Sequence, residues 1–133
     1  MSAERATYLD SSAIVKLLVL EAGTEGLQRA IRGWGPLVSS ALARTEVHRA
    51  ALRAGVQDAG RSTSVLHAIG LVAVTDAVLT RAGTMRPAAL RSLDAIHLAT
   101  AMSLGADLQH LCTYDVRMAS AAEGAGLLVV APA

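Results

Sequence analysis

The feature that most constrains this chain is an alternation: short apolar runs are separated by longer segments whose apolar residues recur at helical spacing. Strands in that order, each followed by a helix that crosses back over the sheet, pair in parallel. The pattern predicts an α/β fold and argues against a helical bundle or a β-sandwich. The apolar runs are Thr7-Tyr8-Leu9, Leu37-Val38, Leu71 to Val74, Leu108 to Thr113 and Leu127 to Val130. Helices are predicted over 12–20, 23–32, from a cap at Ser39 or Ser40 to about Arg53, over 57–69, after Asp76 to Arg81, from a cap at Ser92 to about Leu104, and, as a short one, after Asp115, leading through Gly124 and Gly126 to the last strand. The 133 residues suit one domain, 1–133, and a 53% hydrophobic content supplies its core.

Several function classes fall away at this stage. The longest stretch without a charged side chain, Ser62 to Thr75, is shorter than the roughly 18 residues needed to span a bilayer, and Glu4 and Arg5 interrupt any signal-peptide pattern at the start. Cys112 is the one cysteine, so no internal disulfide forms, and no zinc-type spacing occurs. A reducing cytoplasm and no membrane contact are expected. Twelve basic against eleven acidic residues give a net charge of +1, which lacks the bulk-charge footprint of a nucleic-acid binder.

The acidic residues carry more information than the net charge. In an open parallel sheet, ligands bind outside the carboxyl ends of the strands. Asp10 ends the first predicted strand and Asp115 follows the fourth, while Glu46 and Asp94 lie near the starts of helices leaving that same edge. Four carboxylates in one cleft repel and raise one another's pKa, so the cluster calls for a cation. Hard divalent ions take oxygen ligands, which makes Mg²⁺ or Mn²⁺ the natural occupant and phosphodiester hydrolysis by a metal-activated water the natural reaction. Taken singly, each acid has a plainer reading. Asp94 suits a helix start, Asp10 and Asp115 suit turns or caps, and Glu46 suits a solvated helix face paired with Arg49 and Arg53.

Four ordered motifs resemble the PIN-domain ribonucleases, most closely the VapC-type toxins of toxin-antitoxin pairs. They are Tyr8-Leu9-Asp10-Ser11-Ser12-Ala13, Ser40-Ala41-Leu42 through Glu46, Leu93-Asp94-Ala95-Ile96-His97-Leu98-Ala99, and Thr113-Tyr114-Asp115-Val116-Arg117-Met118. Met118 stands where an aromatic residue is common, a mild departure at a packing position. The resemblance implies a three-layer α/β/α fold with a parallel sheet of about five strands and metal ligation by Asp10, Glu46, Asp94 and Asp115. It also implies endoribonuclease activity with Mg²⁺ or Mn²⁺, a homodimer, and neutralisation by a cognate antitoxin. Ser11, Ser12 and Thr113 would hold carboxylate rotamers or metal waters.

Arg86, Arg91 and Arg117 lie near the expected acidic edge as phosphate contacts, with carboxylate pairing or solvation as the alternative. His97 shares a helix face with Asp94; a packed histidine with one hydrogen bond is the favoured reading, and His48, His67 and His110 rank below it. Trp34 reads as a packing or partner residue rather than a base platform. The first two helices carry more apolar surface than one core face needs, which suits a dimer or antitoxin groove.

A PIN-domain RNA-processing nuclease outside any toxin pair is the main alternative function. A catalytically silent PIN-like binding module is opposed by the intact acids. A receiver-type phosphoacceptor needs a lysine after the last strands, whereas the sole lysine, Lys16, falls on the first helix. If four of the eleven acids share one metal cleft, seven remain to face the arginines, so RNA binding is expected to depend on metal despite the near-neutral balance.

Overall fold

The computed structural model describes residues 4–133 and places five strands in one sheet: β1 (Ala6–Leu9), β2 (Leu37–Ser40), β3 (Gly70–Val72), β4 (Leu108–Cys112) and β5 (Val129–Val130). All neighbouring pairs are parallel, in the order β3-β2-β1-β4-β5. The chain starts in the middle of the sheet, builds outward to β3, then returns to lay β4 and β5 on the other side. That reversal beside β1 is the point at which an open α/β sheet offers a crevice for ligands.

Seven helices connect the strands: α1 (Ser11–Leu18), α2 (Thr24–Ile31), α3 (Ala43–Arg53), α4 (Ala59–His67), α5 (Asp76–Gly83), α6 (Ser92–Ser103) and α7 (Val116–Gly124), with a 3₁₀ turn at Gly105–Asp107. Alternation along β1 divides the interior in two, because successive side chains point to opposite faces. Leu9 packs with Ile14, Leu18, Leu27, Val47 and Leu66 beneath α1 to α4. Tyr8 packs with Leu98, Leu111, Met118 and Ala122 beneath α6 and α7. The result is the expected three-layer α/β/α arrangement around a five-stranded parallel sheet, and Met118 fills a fully buried packing position.

Local departures from the sequence reading have tertiary causes. Ser39 and Ser40 do not cap α3; both are fully buried and extend β2, where they register with Leu71 and Val72 of β3. A strand flanked on both sides continues as long as its ladder has partners, and this outweighs the local capping preference. Helix α3 begins at Ala43 with no side-chain cap. Ser92 opens α6 without capping it, Arg91 taking the N-cap position. Helix α1 stops at Leu18, two residues short of the expected end, because Val19 turns extended. Of the surplus apolar surface expected on the first two helices, Val15, Leu17 and Ile31 are partly buried against the core, whereas Leu20 is 81% exposed. Trp34 packs edge-to-face on the His110 ring, centroids 4.9 Å apart, and serves the core. Among the described residues, no helix is long and apolar enough to cross a membrane.

Candidate active site

Asp10 leaves the carboxyl end of β1 and caps α1. Its Oδ1 accepts from the Ala13 N–H at 3.1 Å and from Ser12 Oγ at 2.6 Å, and its Oδ2 accepts from Thr113 Oγ1. It is only 4% exposed. Burial pushes its pKa up, against the pull of the Ser12, Thr113 and Ala13 bonds. Thr113 follows β4 and also accepts from the Asp115 N–H at 3.1 Å, so one hydroxyl ties the ends of two neighbouring strands together.

Asp115 repeats the capping geometry at α7, its Oδ1 accepting from the Arg117 and Met118 N–H groups at 2.9 and 3.2 Å. Asp94 lies in the first turn of α6. Arg91 bridges the two, with Nε 3.3 Å from Asp94 Oδ2 and Nη2 3.3 Å from Asp115 Oδ2, while its side chain is 66% exposed.

Glu46 lies in the first turn of α3, where its Oε1 accepts from Ser11 Oγ and from His97 Nε2, each at 2.6 Å. Burial alone would raise its pKa, but the bonds from His97 and Ser11 and the nearby imidazole outweigh it, and the carboxyl ends below its usual range. His97 is 1% exposed, and its Nδ1 lies 2.6 Å from the Tyr8 hydroxyl. The expected pairing of Glu46 with Arg49 and Arg53 does not form. Instead those arginines line a cavity of about 730 Å³ that opens beside Glu46, with Val15, Leu93 and Tyr114.

The structure therefore gathers Asp10, Glu46, Asp94 and Asp115 along one edge of the sheet and attaches Ser11, Ser12 and Thr113 to them by hydrogen bonds. Among the described residues, no group of three His, Cys, Asp or Glu side chains forms a ready-made cage for a metal ion. The donor set nonetheless fits a hard divalent cation: every free donor is a carboxylate oxygen, and a guanidinium already supplies positive charge between Asp94 and Asp115. Arg91 is thus engaged with the acids, and Arg117 stands exposed beside them with its N–H on Asp115. Arg86 lines a separate cavity between α5 and α6, with Leu79 and Ile96, and makes no hydrogen bond or ion pair with the acids.

The sequence reading undervalued His97, which uses both ring nitrogens, and missed Tyr8 as its anchor. Its position three residues after Asp94 was the visible signal, but that spacing pointed to the wrong acid. Lys16 is committed elsewhere, 3.2 Å from Glu21 and donating to the Ala22 carbonyl at 2.8 Å, which leaves no lysine for a receiver-type site.

Comparison with known proteins agrees with this architecture. The PIN domain family model matches residues 7–124. Ribonuclease VapC46 of Mycobacterium tuberculosis is 52% identical over 127 residues, covering 96% of this chain and 98% of that protein. Two solved structures share the fold: a toxin-antitoxin complex from Klebsiella pneumoniae, with TM-score 0.71 at 23% identity over 99% of this chain and 98% of its own, and the sarcin-ricin loop cleaving toxin VapC20 of M. tuberculosis, with TM-score 0.75 at 16% identity over 95% and 99%. Matched from β1 through α7 by the family model, and along almost its whole length by a ribonuclease, this chain belongs to the PIN domain family, in its VapC branch.

Proposed function

We propose that this protein is a divalent-metal-dependent endoribonuclease and the toxin of a toxin-antitoxin pair. The observation that carries the reading is the single network joining Asp10, Thr113, Asp115, Arg91 and Asp94 at the carboxyl ends of β1 and β4, with Glu46 facing it from α3. Asp10, Glu46, Asp94 and Asp115 are the residues that would hold Mg²⁺ or Mn²⁺. A divalent ion held there would supply Lewis-acid activation of a water and charge stabilisation for a phosphodiester leaving group.

The protein's own groups do the rest. Ser12 and Thr113 fix the Asp10 rotamer. Ser11 and His97 fix Glu46. The exposed Arg49, Arg53 and Arg117 supply cations for phosphates flanking the reacting one. Because the 2′-hydroxyl has no part in such an attack, the products carry 5′-phosphate and 3′-hydroxyl ends. RNA as substrate is supported by the ribonuclease relative, and an antitoxin as partner by the likeness to a toxin-antitoxin complex.

The test is direct. Purified protein with Mn²⁺ or Mg²⁺ cuts RNA, chelation stops it, and Asp94→Asn lowers the rate by about a hundredfold or more, beyond the usual cost of losing an outer partner. Equal cutting by Asp94→Asn overturns the carboxylate mechanism.

A further inference from the structure

Three of the four carboxylates are asymmetric in the same way. Oδ1 of Asp10 takes two hydrogen bonds, from the Ala13 N–H and Ser12 Oγ. Oδ1 of Asp115 takes two, from the Arg117 and Met118 N–H groups. Oε1 of Glu46 takes two, from Ser11 Oγ and His97 Nε2. A carboxylate oxygen has about two lone-pair sites, so in each residue one oxygen is saturated by the fold. Of the second oxygens, Oδ2 of Asp10 accepts from Thr113 and Oδ2 of Asp115 pairs with Arg91, whereas Oε2 of Glu46 has no hydrogen bond or ion pair among the described residues.

Both aspartates stand at a helix N-cap, where backbone N–H groups converge and supply both bonds to Asp115 Oδ1 and one of the two to Asp10 Oδ1. Glu46 lies inside α3 and has no such donors within reach, so side chains substitute for them. His97 comes from α6, 51 residues away in sequence, and is held at its far nitrogen by Tyr8. Glu46 is ionised and can only accept, so Nε2 carries the hydrogen in this bond. Ser11 Oγ lies 3.2 Å from the same Nε2, which closes a triangle of serine, imidazole and carboxylate.

We infer that His97 is the positioning residue of Glu46: with Ser11 it occupies Oε1 and leaves Oε2 as the one oxygen Glu46 offers to a cation. The inference rests on the carboxylate–metal reading of the site. Its consequence is selectivity. Single-oxygen carboxylates suit a small ion with octahedral preference, whereas Ca²⁺ takes 6–8 oxygens and favours carboxylates that give both. Freeing Oε1 therefore improves the site for Ca²⁺ relative to Mn²⁺.

The experiment is calorimetric titration of the full chain with Mn²⁺ and, separately, Ca²⁺, with folding checked by circular dichroism. His97→Leu is expected to weaken Mn²⁺ binding about tenfold and to narrow the preference for Mn²⁺ over Ca²⁺. His97→Gln, whose amide nitrogen falls near the place of Nε2, is expected to recover most of both, and Ser11→Ala to move in the same direction as His97→Leu by less. Wild-type affinity and preference in folded His97→Leu overturn the inference, as does a His97→Gln protein no better than His97→Leu. Should His97→Leu fail to fold, an unchanged ion preference in Ser11→Ala overturns it. A wild-type protein that titrates neither ion overturns the carboxylate–metal reading and this inference together; a wild type that binds Mn²⁺ beside indifferent variants overturns only the role of His97.

Discussion

Asp10 holds two roles in one side chain, capping α1 and presenting a buried carboxylate at the mouth of the sheet. Buried charge is tolerated when its hydrogen bonds are supplied, and Thr113 supplies the bond to Oδ2. Thr113→Val keeps the shape and removes that donor, so it is expected to lower stability by about 1.5–3 kcal/mol, read from urea unfolding without added metal. His110 gives a second residue-scale prediction. Burial, with a smaller contribution from the Arg5 charge, holds its pKa below the ordinary 6.5, against a backbone bond that pulls it up. The unfolded chain then takes up a proton that the folded protein refuses, so stability is full above about pH 6.5 and falls as the pH drops below it. Unfolding curves of His110→Gln are expected to lose that part of the pH dependence. His97 shows why some of the site was illegible at this scale: its partners are 51 and 89 residues away, and no local spacing encodes such a meeting.

At the scale of elements, the strands and helices were legible where local pattern and tertiary demand agree. Asp10 and Asp115 read correctly as strand-end acids because the same residues also cap the next helix. Ser39 and Ser40 read wrongly because their serine chemistry suits a cap, while β3 claims their backbone for the ladder. The approach of β1 to the loop before β2 is equally tight: a Cβ on Gly35 would lie 2.6 Å from the Arg5 carbonyl oxygen, and Thr7 N–H bonds the neighbouring Pro36 carbonyl at 2.9 Å. Gly35→Ala must displace backbone rather than a flexible side-chain tip, with an expected cost of about 1–3 kcal/mol, visible as a lower Tm.

For the whole molecule, a net charge of +1 conceals a division: four acids gathered at one edge and eleven arginines spread through the chain. RNA affinity is therefore expected to be weak in a chelating buffer and to rise with divalent ions, as measured by anisotropy of a labelled single-stranded RNA. Arg49 and Arg53 sit one helical turn apart beside Glu46 and have no carboxylate partner among the described residues. Arg49→Gln is expected to reduce the slope of log affinity against log salt by about 0.7, the share of one phosphate contact on a single strand. The sheet order also bears on how the protein is made. The central strand β1 precedes all its sheet neighbours in the chain, and Thr113, the donor to Asp10, is synthesised 103 residues after that aspartate. A nascent chain that stops before residue 113 lacks both Thr113 and Asp115, so Asp10 and Glu46 are made long before the acid cluster is complete. The network joining the carboxyl ends of β1 and β4 is therefore closed only by a segment far along the chain from the strand it serves.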